Sequence, residues 1–263
     1  MNFMKLLKSI AISFSLYSKI PMPVFEWDEE NYRHAIAFLP LVGSVISVLS
    51  YLAALFCRNY ELPVFVAAGF LTMVPLLVTG GFHFDGFMDV QDALHSYQPR
   101  EKKLEIMKDP HIGAFAVISA GGFFLIWLSS VYMIVFKAFE GDGSSALLSA
   151  LGIYPLIRAL CGLSSILFPH AKNEGMLSVE TGKSGKLDIC ILLVQGILAA
   201  AFMIWMSVLC GILSLIAALL FTAFYRHLCL KNFDGVTGDT AGFFVSCAEA
   251  CILFVIAVLC MIL

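Results

Sequence analysis

The chain has 263 residues, 60% of them hydrophobic and 13% charged, with a mean hydropathy of +0.91. Soluble domains carry about 25% charged residues, so this composition belongs in a bilayer and excludes an ordinary soluble enzyme. The formal net charge of −3 decides little, because in membrane proteins the placement of charge matters more than its sum; no basic stripe with interleaved aromatics marks a nucleic-acid module.

The N-terminus does not read as a signal peptide, since Ser9, Ser13 and Ser15 interrupt its apolar part and no small-residue cleavage site precedes Pro21-Met22-Pro23. Phe3, Leu6, Leu7, Ile10 and Phe14 follow helical spacing, which predicts a short helix lying in the membrane interface. An acidic patch (Glu26, Asp28, Glu29, Glu30) separates it from seven predicted spans. These are His34–Cys57, Leu62–Gly81, Gly113–Lys137, Ala146–Phe168, Leu187–Val208, Leu209–Tyr225 and Thr240–Leu263, each near the ~20 apolar residues a bilayer requires. The fifth and sixth run together near Leu209, with Cys210-Gly211 marking the turn. The expected fold is therefore all-α, a polytopic membrane helical bundle of about seven spans, with residues 1–263 forming one domain.

With the N-terminus inside, the inner segments hold thirteen of the 16 lysines and arginines, while Arg58 and Lys137 fall outside and Arg158 lies within the fourth span. The positive-inside rule then sets the N-terminus and every polar motif on the cytoplasmic side of an inner membrane. The eight cysteines lie in or beside apolar runs without a CxxC pair, so they read as small packing residues rather than metal ligands.

The second span ends in Thr79-Gly80-Gly81-Phe82-His83-Phe84-Asp85-Gly86-Phe87-Met88-Asp89-Val90-Gln91-Asp92. Asp85, Asp89 and Asp92 are spaced i, i+4, i+7 and share one face if the segment is helical. Three like charges on a face repel unless a cation sits among them, and oxygen ligands favour Mg²⁺, whose shell is usually completed by substrate phosphates. An acidic first turn complementing a helix dipole is the plainer alternative. Beyond it runs a long loop, Phe82 to Ile112, with an amphipathic helix predicted over Ser96–Met107. It closes on Lys108-Asp109-Pro110-His111, where Lys108 and His111 are candidates to hold phosphate oxygens.

Arg158 lies inside the fourth span, where an ionisable residue is a functional candidate and snorkelling to the interface is the plainer account, and Glu249 lies inside the last, where a carboxylate needs a partner, either Arg158 or a metal-bound network. Arginine also grips phosphate bidentately. The stretch His170 to Lys186 is polar, contains Gly175, Gly182 and Gly185, and reads as a mobile flap. Before the final span, Val236-Thr237-Gly238-Asp239-Thr240 offers glycine-permitted close approach to an anion, with an Asp N-cap as the plainer account of Asp239.

Thr79 to Leu94 with Glu105 to Ile118, and Val236 to Gly242, resemble the motifs of the cobalamin synthase family, the adenosylcobinamide-GDP ribazoletransferases. The resemblance implies a membrane-embedded, Mg²⁺-dependent transferase acting late in cobalamin assembly. It would join adenosylcobinamide-GDP to α-ribazole or its 5′-phosphate and release GMP. It implies Asp85, Asp89 and Asp92 as metal ligands and Asp92 or Asp239 as the base. Lys108 and Arg158 would steady phosphate, and His83, His111, Lys172, Thr237 and Gly238 would contact substrate. The expected surroundings are the two substrates, the bilayer, and other cobalamin-assembly enzymes or a second copy of the chain. Two places depart from the family pattern: Asp234 stands where the first of two glycines is usual, and Lys172 where arginine is usual. A CDP-alcohol phosphotransferase is the nearest rival, but the alanine-arginine that its motif requires after Asp-Gly is missing. An ion-coupled transporter relaying through Asp85, Asp89 and Glu249 is another, though no internal repeat supports it.

Overall fold

A computed structural model describes residues 3–23, 32, 34–141, 144–171, 176–182 and 184–262. The described residues are helical, apart from connecting turns and a single bridge between His170 and Val236. The twelve α-helices are α1 (Phe3–Tyr17), α2 (Leu39–Asn59), α3 (Val64–Thr79), α4 (Phe82–His95), α5 (Arg100–Ile106) and α6 (Ala114–Glu140). They continue as α7 (Ser144–Leu151), α8 (Ile153–Leu167), α9 (Met176–Thr181), α10 (Lys186–Met206), α11 (Val208–Phe233) and α12 (Gly238–Ile262), and a 3₁₀ turn, Ala35–Phe38, leads into α2.

Among the described residues, six helical segments are long and apolar enough to cross a membrane: Ala35–Asn59, Ala114–Glu140, Ser144–Leu167, Lys186–Met206, Val208–Phe233 and Gly238–Ile262. The chain is a multi-pass membrane protein. The remaining predicted span, Leu62–Gly81, is α3, which at 16 residues is about 24 Å long, shorter than the hydrocarbon core of ~30 Å. It meets α4 at a 92° bend. A helix set at right angles to a crossing helix runs along the membrane face rather than through it, so we read α4 as lying outside the spans.

Two boundaries differ from the sequence expectation. The fifth and sixth spans part at Ser207, whose extended φ/ψ of −153° and 108° interrupts the helices, and not at Cys210-Gly211. The sixth also continues past Tyr225 to Phe233, despite the polar Arg226, His227, Lys231 and Asn232, because Tyr225, Leu228, Cys229 and Phe233 keep one face buried. Between Phe82 and Ile112, α5 falls inside the amphipathic helix expected over Ser96–Met107, the acidic motif ahead of it is itself helical as α4, and the predicted interfacial helix is α1.

Packing centres on α12, which touches α4, α6, α8 and α11 and buries most of its length. Large apolar side chains elsewhere on the bundle, such as Leu125, Leu198 and Trp205, face outward. In a bilayer such exposure is the expected outcome, since lipid tails are as apolar as the side chains themselves. An aromatic cluster of Phe84, Phe87, Phe123, Phe124 and Trp127, with ring centroids 4.8–6.3 Å apart, locks α4 onto α6, and Phe87 also stacks on Phe243 of α12. All eight cysteines are free.

Candidate active site

Two consecutive glycines make the turn that presents α4. Gly80 and Gly81 have φ of 64° and 78°, the left-handed region that side chains other than glycine disfavour. Once turned, α4 crosses the start of α12 at close range. A Cβ on Gly86 would lie 2.6 Å from the Asp239 carbonyl oxygen, and one on Gly242 would lie 2.7 Å from the carbonyl oxygen of His83. Each helix therefore contributes one residue without a side chain, and their backbones touch. That contact sets Asp85 and Asp89 on α4 beside Asp239 in the first turn of α12.

The electrostatics of this corner are those of crowded like charges. Asp85 is exposed and Asp89 half-buried. The Asp89 carboxyl is pushed up to about 6, first by burial and then by the charges of Asp85, Asp239 and Asp92. Carboxylates offer the hard oxygen donors that Mg²⁺ takes. Among the described residues, however, no three His, Cys, Asp or Glu side chains converge closely enough to hold one ion. The donor set fits Mg²⁺ in its usual protein mode, through one or two carboxylates with water and phosphate oxygens filling the remaining positions.

The expected trio of Asp85, Asp89 and Asp92 needs one correction. Asp92 Oδ2 accepts from the Gly113 amide at 2.7 Å and Oδ1 from the Ala116 amide at 2.8 Å. Both oxygens are thus committed to the N-terminus of α6, whose first amides have no partner within the helix. A Cβ on Gly113 would collide with that carboxylate, so the glycine makes room for the cap. Asp92 ties α4 to α6, and the third acidic side chain facing Asp85 and Asp89 is Asp239.

Arg158, expected at the phosphates, is 1% exposed inside the bundle. Its Nη1 donates to Glu249 Oε1 of α12 and to the Tyr154 carbonyl oxygen. This is the pairing that the depth of the two charges predicts. Two membrane-buried charges neutralise one another here, and the guanidinium is engaged inside the bundle through Nη1.

The other expected contacts are distributed unevenly. His83 is buried against Tyr17 of α1, with ring centroids 6.4 Å apart, and its Nδ1 has no hydrogen-bond partner among the described residues. Burial, seconded by the Arg158 charge, lowers its pKa to about 3, so the imidazole is neutral. Together with Gly238 it lines a cavity of about 50 Å³. Thr237 and Thr240 exchange side chain-to-amide hydrogen bonds of 2.8 and 3.1 Å, a reciprocal cap that starts α12 and occupies the Thr237 hydroxyl. Lys108 and His111 are exposed on the strap between α5 and α6. The His111 ring and amide both engage Asp109, holding that carboxyl below its ordinary range. Lys172 lies outside the described residues, as does the acidic patch from Glu26 to Glu30.

Gly86 and Gly242 were missed by sequence reasoning, although both stand inside the motifs already singled out. A second omission is Asp234. It caps α11 in the left-handed region at φ 67°, which explains why a glycine suits that position. Its carboxylate also takes the Arg100 guanidinium at 2.8 Å, which pins α5 to the end of α11. Beside it, Val236 exchanges backbone hydrogen bonds with Pro169 and Ala171 (2.8 and 3.1 Å), so the root of the predicted flap is stitched to the loop before α12.

These features define a polytopic membrane enzyme whose polar chemistry gathers at one end of the bundle, where a bent helix lays carboxylates against the start of the last span. A family model described as cobalamin-5-phosphate synthase matches residues 9–257. The chain belongs to that family, and is a transferase of cobalamin biosynthesis. Among curated relatives, one from Lachnoclostridium phytofermentans is 36% identical over 92% of this chain and 90% of its own length. One from Listeria welshimeri is 31% identical over 90% and 92%, and one from Clostridium botulinum strain Alaska E43 is 30% identical over 95% and 96%. Each of the three bears the name adenosylcobinamide-GDP ribazoletransferase. No solved structure matches the chain.

Proposed function

We propose that the chain joins adenosylcobinamide-GDP to α-ribazole, or to α-ribazole 5′-phosphate, giving adenosylcobalamin or its 5′-phosphate and GMP, with Mg²⁺ required. The observation that carries this reading is the meeting of Asp85 and Asp89 with Asp239, from segments far apart in the chain, at the α4–α12 contact. A ribose hydroxyl attacks the phosphorus that bears the cobinamide and forms a new P–O ester. The bridging P–O bond of the diphosphate breaks, GMP leaves with that oxygen, and the hydroxyl proton passes to a carboxylate.

Phosphoryl transfer demands positioning and charge neutralisation more than covalent chemistry from the protein. Mg²⁺, when bound, supplies that neutralisation at the diphosphate. Asp85 and Asp89 are the residues that would hold it. Asp239, fixed by the cap of α12, replaces Asp92 as the base, because Asp92 is committed to α6. Lys108 and His111, on their exposed strap, are placed to draw in the phosphates. Arg158 acts one layer further in, by keeping α12 seated against α8.

The same reading puts this corner on the cytoplasmic face of an inner membrane. Lys19, Arg100, Lys102, Lys103, Lys108 and Lys231 gather at the end of the bundle where α6 and α12 begin, whereas Arg58 and Lys137 close α2 and α6 at the other. The test is GMP release from adenosylcobinamide-GDP plus α-ribazole by the purified chain in liposomes. Mg²⁺-dependent release is the expected result; release that persists undiminished in chelator would sink the metal part, and none at all would sink the reaction.

A further inference from the structure

A cleft of about 510 Å³ opens between the end of α1 and the α3–α4 turn, with Ser15, Ser18, Lys19, Gly80, Phe82 and Asp85, but not Asp239, in its walls. That volume lies in the range, roughly 300–1,000 Å³, of small-molecule sites. Lys19 is built into it. Its amide donates to the Val78 carbonyl oxygen at 2.8 Å, and its aliphatic stem lies flat across Gly80, where any Cβ would strike the Lys19 side chain. Its ammonium has no hydrogen bond or ion pair among the described residues. A cation is thus fixed in position with its charge unspent, in the same cleft as a carboxylate suited to Mg²⁺.

A cleft offering a lysine at one end and a metal-binding carboxylate at the other matches a metal-bearing phosphate ester. The lysine takes a phosphate oxygen directly, and the carboxylate reaches phosphate through the ion. The opening amides of α4 point the same way, because its N-cap, Gly81, has no side chain to satisfy them. We propose that this cleft holds the nucleotide end of the activated substrate, with Lys19 gripping the phosphate that departs in the nucleoside monophosphate. The inference rests on the ribazoletransferase reading and deepens it by naming the side of α4 on which the leaving group lies. α-Ribazole would then approach the cobinamide-bearing phosphorus from the Asp239 side, in line with the departing GMP oxygen.

The test uses the full chain in liposomes as wild type, Lys19→Gln, Lys19→Arg, and Lys102→Gln as a control for loss of an exposed lysine on the same end. In Lys19→Gln the KM for adenosylcobinamide-GDP is expected to rise about tenfold, the effect of losing one charge-assisted contact, with the KM for α-ribazole within about twofold of wild type. Lys19→Arg should recover most of the loss, and Lys102→Gln should match wild type. A Lys19→Gln enzyme with an unchanged KM for adenosylcobinamide-GDP, or with only the α-ribazole KM raised, overturns the proposal. Binding of Mg²⁺-GDP, followed by fluorescence titration, separates the two layers of argument. Lys19-dependent binding in a wild type that releases no GMP would keep the cleft and sink the reaction. GMP release with GDP binding indifferent to Lys19 would do the reverse.

Discussion

Two regions of this molecule concentrate charge, and they are solved in opposite ways. Deep in the bundle, Arg158 and Glu249 are 1% and 2% exposed and answer one another across α8 and α12. At the end of the bundle, Asp85, Asp89 and Asp239 face one another, and the Asp89 carboxyl rises to about 6. Opposite charges that pair internally hold helices together and neutralise one another inside the bundle. Like charges brought together by backbone contact store repulsion that a bound cation, or a proton, relieves. The first region is architecture, and the second is where chemistry is to be sought.

The sharpest way to break that division is to unpair the interior. Arg158→Ala leaves Glu249 buried without a partner and should cost about 3–5 kcal/mol, read as a fall in thermal stability in detergent, whereas the double change Arg158→Met with Glu249→Leu should recover most of it. If Arg158→Ala kept wild-type stability and lost only turnover, the arginine would belong with the site. At the acidic corner the pattern is expected to invert. Asp89→Asn should lower GMP release on the order of 100-fold while leaving the melting temperature equal to or above wild type, since it removes repulsion along with a proposed metal ligand. A destabilised Asp89→Asn protein would mean that the carboxylate is structural.

The joint between the two regions is testable through the glycines. Gly86→Ala places a methyl 2.6 Å from the Asp239 carbonyl oxygen, so α4 and α12 must part. The expected cost is about 1–3 kcal/mol, together with a loss of turnover larger than that of Gly121→Ala, where nothing lies within 4 Å of the added atom. Equal effects at the two glycines would argue against the close crossing.

The smallest effect is the dependence on pH. Because Asp89 sits above its ordinary value of 3.8 in the folded chain, protonation stabilises the metal-free protein: that contribution is fully present below about 3.8 and is lost as pH rises through about 6. Mg²⁺ requires the ionised form. Lowering the pH from about 7 to about 5 should therefore raise the melting temperature of the metal-free chain slightly while weakening Mg²⁺ binding several-fold. Parallel movement of the two would remove Asp89 from the cation site.

Much of this was legible in residues alone. The long apolar runs announced spans because a bilayer asks only for length and hydrophobicity, and Arg158 and Glu249 announced each other because neither charge survives alone at that depth. The motif residues around Asp85 and Asp239, far apart in the chain, do come together at one corner. What residues alone left open was the arrangement within the corner. Asp92 has the same spacing and chemistry as its neighbours, and only the arrival of α6 turns it from a ligand into a cap. Asp239 could be read either as an N-cap or as a base, and only the crossing of α4 sets it beside Asp85 and Asp89.

Local sequence, then, determined the helices, the number of apolar runs and the polar motif segments between them, since each depends on side chains near one another along the chain. It also determined the bend before α4, because two left-handed residues in succession call for Gly80 and Gly81. Tertiary structure alone decided which carboxylates face one another, which arginine is spent inside the bundle and which lysine lies along a cleft. Those outcomes turn on two backbones touching at Gly86 and Gly242, and no periodicity within either helix records where the other will cross.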